Sequence, residues 1–163
     1  LVHFATAEEL VDRHLLDSLA AAPFLDSHGQ LLDVGSGAGL PGVPLLAMRP
    51  AWSGVLLEPR QKRWAFLKMV VRELGLSAEV VRARFQDWQP GERFDAVTMR
   101  AVGGLEDLVA WSRPHLTTSG RVFLWTTTDH IGALRALAGW HVLSSQLPGL
   151  ACGRLVRLQQ CFT

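Results

Sequence analysis

Short apolar runs of strand length alternate with helical stretches along most of this chain, and that alternation leaves few folds open to it. Runs at 31–35, 54–58, 79–83 and 94–99 are interspersed with helical periods at 42–49 and 60–75. Strands that need a helical crossover before the next strand build βαβ units on a parallel sheet with both faces covered. Downstream, the pattern predicts a helix at 105–113, a strand at 121–126 and a helix at 131–138. Two last strands at 141–147 and 153–161, joined through Pro148-Gly149, form an antiparallel hairpin. The fold class expected is α/β, a Rossmann-like, mostly parallel seven-stranded sheet with helices on both faces.

Before the first strand, Leu10, Val11, Leu15, Leu16 and Leu19 follow a helical period within 8–22, and Pro23 ends it. A chain of 163 residues suits one domain. It divides into an N-terminal helical segment at 1–25 and a core at 31–163, and Leu1 in place of Met points to a truncated or processed start. The two cysteines, Cys152 and Cys161, are too few and too clustered for a secreted disulfide framework, which favours a reducing, cytoplasmic setting. The apolar stretch 31–48 is broken by four glycines and two prolines, so no membrane span is expected, and no basic n-region with an apolar stretch marks a signal peptide. The six histidines have no zinc-like spacing with the cysteines, so no metal is expected.

In open α/β sheets the turn after the first strand is the usual ligand cradle. Here it reads Asp33-Val34-Gly35-Ser36-Gly37-Ala38-Gly39-Leu40, and its glycines let the backbone take positive φ and approach a ligand closely. Gly37 to Gly42 also satisfies the dinucleotide pattern G-x-G-x-x-G. A pyrophosphate needs free N–H groups at the helix start, however, and Pro41 and Pro44 remove two, while Asp33 would repel phosphate. S-adenosylmethionine carries a sulfonium and an ammonium and no phosphate, so it suits the loop better. Glu58, at the end of the second strand about twenty residues on, can accept both ribose hydroxyls, or it can serve the helix start that Pro59 marks. Phe85 and Gln86, after the third strand, can offer adenine a ring face and a polar contact.

Three segments together resemble one family. Leu31 to Pro44 (LLDVGSGAGLPGVP), Leu57 to Leu67 (LEPRQKRWAFL) and Thr98-Met99-Arg100-Ala101, preceded by Arg13-His14-Leu15-Leu16-Asp17-Ser18-Leu19, are similar to the ribosomal small subunit methyltransferase G family, also called glucose-inhibited division protein B. The resemblance runs from about residue 4 to 125. It implies a class I S-adenosylmethionine-dependent methyltransferase acting on N7 of a guanosine, nucleotide 527, of 16S rRNA in the small ribosomal (30S) subunit. By the same resemblance Gly35 and Leu40 line the cofactor, Phe85 and Gln86 hold its adenosine end, and Arg100 stands at a cofactor-site arginine. Glu58-Pro59 replaces the family's Asp-Ser, Phe85-Gln86 its Ala-Glu, and Trp125-Thr126-Thr127 stands where the family has Lys-Gly.

The residues narrow the chemistry further. No cysteine precedes position 152, which argues against attack at pyrimidine C5. Met99-Arg100-Ala101-Val102 lacks the acidic or amide residue with prolines used for exocyclic amines. Guanine N7 has a free lone pair and needs no general base, so catalysis reduces to alignment. A folded RNA hides N7 in its deep groove, so the target is an accessible or splayed-out base. Arg100, the one catalytic candidate, is expected to bind the cofactor carboxylate or an RNA phosphate, the alternative being a strand-end salt bridge.

Charge placement supports RNA as partner. Arg60, Lys62, Arg63, Lys68, Arg72, Arg82 and Arg84 against Glu73 and Glu79 give residues 60–84 a net +5, whereas the whole chain carries +1, leaving −4 elsewhere. Arg60, Lys62, Arg63, Lys68 and Arg84 are the candidate RNA-binding residues, against a plain solvated helix face. His14, Asp17 and Ser18 share a helical face, but neighbours on one helix seldom form a hydrolytic triad. A monomer is expected. Two other functions stay open: a nicotinamide-dependent oxidoreductase using the same loop, and a non-catalytic cofactor- or RNA-binding module, suggested by the departures at Phe85-Gln86 and Trp125-Thr126-Thr127.

Overall fold

The structure, a computed structural model, describes residues 14–100, 103–148 and 150–161. Its centre is a seven-stranded sheet of order β3-β2-β1-β4-β5-β7-β6. The strands are β1 (Gly29–Val34), β2 (Trp52–Leu57), β3 (Ala78–Val81), β4 (Phe94–Arg100), β5 (Leu116–Thr127), β6 (Trp140–Gln146) and β7 (Gly153–Gln160). The first five pair in parallel, while β7 runs antiparallel to both β5 and β6. The expected mostly parallel sheet with a C-terminal hairpin is therefore what forms.

Burial explains why the strands read as they do. In β1 the last four residues, Leu31 to Val34, are all buried, so the strand is covered on both faces and its sequence does not alternate. β6, at the sheet edge, has only Trp140 buried and leaves every second residue from His141 exposed.

Helices cover both faces. On one, α2 (Gly42–Met48) and α3 (Gln61–Glu73) bring Leu45, Leu46 and Leu67 against Leu31, Leu56, Phe123 and Trp125. On the other, α4 (Leu105–Ser112) and α5 (Ile131–Arg135) bring Leu105, Leu108, Val109 and Leu134 against Leu32, Val97, Met99 and Leu124. Chain order reverses between β1 and β4, so a crevice opens beyond the carboxyl ends of these strands.

Two expectations need correction. Of the helix read at 8–22, residues 8–13 lie outside the described residues. The described part is α-helical only at α1 (Leu16–Ser18) and continues as a 3-10 helix over Leu19–Phe24. Pro23 inside that segment has no N–H, and its ring crowds the carbonyl four residues back in α geometry. Likewise β5 begins at Leu116 rather than 121. Thr117-Thr118-Ser119-Gly120 looks like a turn in sequence, but Leu116 pairs with Phe94 and the Thr117 hydroxyl donates to Asp95 Oδ1 at 2.9 Å, which holds the stretch in the sheet. Among the described residues no helix is long and apolar enough to cross a membrane, and no group of three or more His, Cys, Asp or Glu could hold a metal.

Candidate functional site

The glycine loop sits at the crevice. Gly35, Gly37 and Gly39 have φ of 72°, 58° and 94°, values that L side chains adopt only with strain. The N–H groups of Gly35 and Ser36 both donate to the Leu57 carbonyl, at 2.8 and 3.0 Å, which ties the loop to the end of β2. Ser36 Oγ donates back to the Asp33 carbonyl at 2.9 Å, and Gly39 N–H closes the turn onto Ser36 O at 2.7 Å.

Of the two roles weighed for Glu58, the structure shows the one at the helix start, together with a contact to the loop. Its carboxylate is 3% exposed, accepts Gly37 N–H at Oε2 (3.0 Å), and accepts Arg60 N–H at Oε1 (2.8 Å) just before α3. Each oxygen keeps a second lone pair, while Glu58 itself is not among the residues that line the neighbouring cleft.

Asp33 lies beneath the loop rather than on its ligand side. It is 1% exposed, with Oδ1 accepting the Thr98 hydroxyl at 2.7 Å and Oδ2 accepting Gly42 N–H at 3.3 Å. Burial pushes its pKa up to about 6, against the hydrogen bonds from Thr98, Ser36 and Gly42 and the charge of Arg100, which pull it down. Gly42 is required here, because a Cβ would lie 2.7 Å from both Asp33 Oδ2 and Leu56 Cδ2.

Beside the loop is a cleft of about 450 Å³ walled by Val34, Gly35, Leu57, Pro59, Phe85 and Gln86, with Arg60 and Arg84 also at its edge. Leu40 is half-buried and does not line it. Phe85 meets Trp111 edge to face, with ring centres 5.4 Å apart, and Trp111 in turn packs on His115 at 4.6 Å. Burial, then the Arg93 charge, holds the His115 pKa below the usual histidine value. Trp111 went unnoticed in the sequence because it lies 26 positions from Phe85, and only the packing of α4 brings them together.

The basic residues divide. Arg60 and Arg84 border the cleft, and Arg63 Nη1 lies 3.8 Å from the position of a Cβ at Gly37. Lys62 is exposed, and Lys68 lies over the Trp64 ring at 4.9 Å. Arg72 pairs with Glu73.

Arg100 closes the other end of the crevice. It ends β4, with Nη2 3.0 Å from Asp17 Oδ2 and Nη1 donating to Ser18 Oγ at 3.2 Å. Trp125 Nε1 donates to the Asp17 carbonyl at 2.7 Å, and Ser18 Oγ donates to the His14 carbonyl. His14, Asp17 and Ser18 thus gather around Arg100 and form no nucleophilic relay. Asp17 is 3% exposed, and burial raises its pKa against the pull of Arg100 and His14.

The glycine loop stands where the strand order reverses, the usual place for a ligand in an α/β sheet, and residues 1–138 match the family model for rRNA small subunit methyltransferase G. The chain belongs to the ribosomal small subunit methyltransferase G family. A relative of that name in Mycolicibacterium paratuberculosis is 47% identical over 118 residues, covering 71% of this chain and 48% of the relative. One in Stutzerimonas stutzeri is 48% identical over 108 residues, covering 65% of this chain and 50% of the relative. The chain spans about half the length of the curated family members it matches. Among solved structures, the ribosomal protein L11 methylase of Lactobacillus delbrueckii subsp. bulgaricus superposes with a TM-score of 0.77 at 14% identity, covering 98% of this chain and 81% of that one. The DhpI–SAH complex gives 0.74 at 17%, covering 97% and 89%. At such identities the likeness shows the fold alone, which is that of class I methyltransferases. Phe85, Gln86 and Gly35 of the glycine loop thus line one cleft, whereas Arg100 stands with the N-terminal residues.

Proposed function

We propose that this protein is an S-adenosylmethionine-dependent methyltransferase that modifies N7 of a guanosine, nucleotide 527, in 16S rRNA. The observation that carries it is the glycine loop clamped to Glu58 beside a cleft walled by Phe85, in a chain of this family. The residues fit the cofactor. Glu58 keeps lone pairs for ribose hydroxyls, and Gly35 of the loop lines the cleft. The buried negative charge of Asp33 beneath the loop favours a cation above it.

S-adenosylmethionine supplies an electrophilic methyl group on a sulfonium. Gly35 lines its site with Ser36, Gly37, Gly39 and Leu40 shaping the loop behind it, Phe85 and Gln86 flank adenine, and Arg100 binds the carboxylate end. Guanine N7 needs no deprotonation, so these residues act by holding and orienting, and by excluding water. Arg60, Lys62, Arg63, Lys68 and Arg84 contact RNA phosphates. The protein works as a cytoplasmic monomer on 16S rRNA or a 30S-like particle.

The test is mass mapping of methyl groups on small-subunit rRNA after incubation with labelled cofactor. A methyl on guanosine N7 is expected. Methyl transfer to protein but never to rRNA would refute the proposal, as would enhanced fluorescence of a reduced nicotinamide cofactor with no binding of S-adenosylhomocysteine.

A further inference from the structure

A second cleft, of about 540 Å³, opens on the other side of Arg100 and meets the first at Gly103, which lines both. Its size is that of a small-molecule site. Trp125, Leu105, Leu147 and Leu150 give it apolar walls, and Asp17, Arg100, Glu106 and His130 supply its charged and titratable groups. One wall is the turn between β6 and β7, fastened to the end of β5 by Thr128 N–H donating to Cys152 O at 3.0 Å. That turn lies beyond residue 138, where the family match stops. Thr126 Oγ1 lies 2.9 Å from His130 Nδ1 and fixes the ring at the mouth.

The cleft is rich in acceptors. Asp17 Oδ1 is buried with no hydrogen-bond partner, and Glu106, in the first turn of α4, forms no ion pair among the described residues. An ionised carboxylate only accepts hydrogen bonds. The Watson–Crick edge of guanine offers two adjacent donors, N1–H and N2–H, whereas adenine offers one donor beside an acceptor that a carboxylate repels. A guanine methylated at N7 also becomes cationic, and Glu106 favours that charge as it develops, whereas the charge of Asp17 is offset by Arg100.

Resting on the methyl transfer proposed above, we infer that this second cleft receives the splayed-out acceptor base and that Glu106 reads it as guanine. The β6–β7 turn closes one side of the base site, so acceptor choice in this chain depends on residues outside the family match.

Cys152 lines the cleft and is exposed, which makes its alkylation a measure of occupancy. The assay uses the C161S protein with S-adenosylhomocysteine present, iodoacetamide as reagent, and a short uridine-flanked RNA bearing one guanosine or, in its counterpart, one adenosine. The guanosine RNA is expected to slow alkylation and the adenosine RNA to leave it unchanged. E106Q is expected to lower guanosine-RNA affinity by roughly ten- to a hundredfold, the range for a hydrogen bond to a charged group, and to erase the preference. Its S-adenosylhomocysteine affinity and melting temperature stay those of the parent. Equal protection by both RNAs, no protection, or an intact preference in E106Q would overturn the inference. rRNA methylated at guanosine N7 with Cys152 unprotected leaves the proposed function standing and sinks this site. Guanosine-selective protection without methyl transfer does the reverse.

Discussion

Asp33→Asn separates the cost of a buried charge from its use. In the folded protein this carboxyl titrates at about 6 instead of the ordinary 3.8, because burial outweighs its hydrogen bonds from Thr98 and Gly42. The folded state therefore holds the proton more tightly than the unfolded chain. Stability contributed by this group is present at low pH and is lost as pH rises from about 4 to about 6. A shift of about two units corresponds to about 3 kcal/mol lost by pH 7. Asparagine avoids that loss: its oxygen can accept Gly42 N–H, and its amide can donate to Thr98 Oγ1, whose own hydrogen is free to turn to Leu32 O, 3.4 Å away. Urea unfolding of both proteins from pH 4 to pH 8 should show D33N gaining about 3 kcal/mol on the parent across that range, most of it between pH 4 and 6. Taking the difference cancels other titrating groups, Asp17 included. The same variant should bind S-adenosylmethionine more weakly, since the negative charge beneath the loop is gone. A difference that stays flat with pH, or a D33N protein less stable than the parent at pH 8, would refute the account of Asp33.

Glu58→Ala should weaken S-adenosylhomocysteine binding at least tenfold by calorimetry, because it removes the proposed hydroxyl acceptor and frees the N–H groups of Gly37 and Arg60 together. Gly42→Ala should lower stability by about 1–3 kcal/mol in urea unfolding, since its Cβ would press on Asp33 and Leu56. Arg100→Ala should cost about 3–5 kcal/mol by leaving Asp17 buried without its cation, and Asp17→Asn in the same chain should recover much of it, as a double-mutant cycle would reveal.

Sequence by itself determined the strands with both faces buried, the helices between them and the glycine loop after the first strand. Each follows from local properties: an apolar run too short to be a helix, a glycine where φ must be positive, a proline where a donor must be missing. Leu31 to Val34 and Gly35 to Gly39 are legible for that reason, and so is the carboxylate of Glu58 at a strand end. The choice between a ribose partner and a helix-start role for Glu58 was not legible, since both use one side chain and only the fold shows Oε1 accepting Arg60 N–H and Oε2 accepting Gly37 N–H.

Tertiary structure alone decided the rest. Asp33 reads as a ligand-side carboxylate until Thr98, 65 residues away, is seen to hold it under the loop. Arg100 finds its partners Asp17 and Ser18 more than 80 residues earlier in the chain, and Phe85 finds Trp111 through the packing of α4. The N-terminal part of β5 was hidden because Thr117 to Gly120 carry turn-like residues, and a cross-strand partner outweighs that local preference. The second cleft is assembled from Asp17 of α1, the ends of β4 and β5, the start of α4, His130 and the β6–β7 turn, segments with no common motif. Such pairings depend on which distant segments the sheet order makes neighbours, and no local periodicity encodes that.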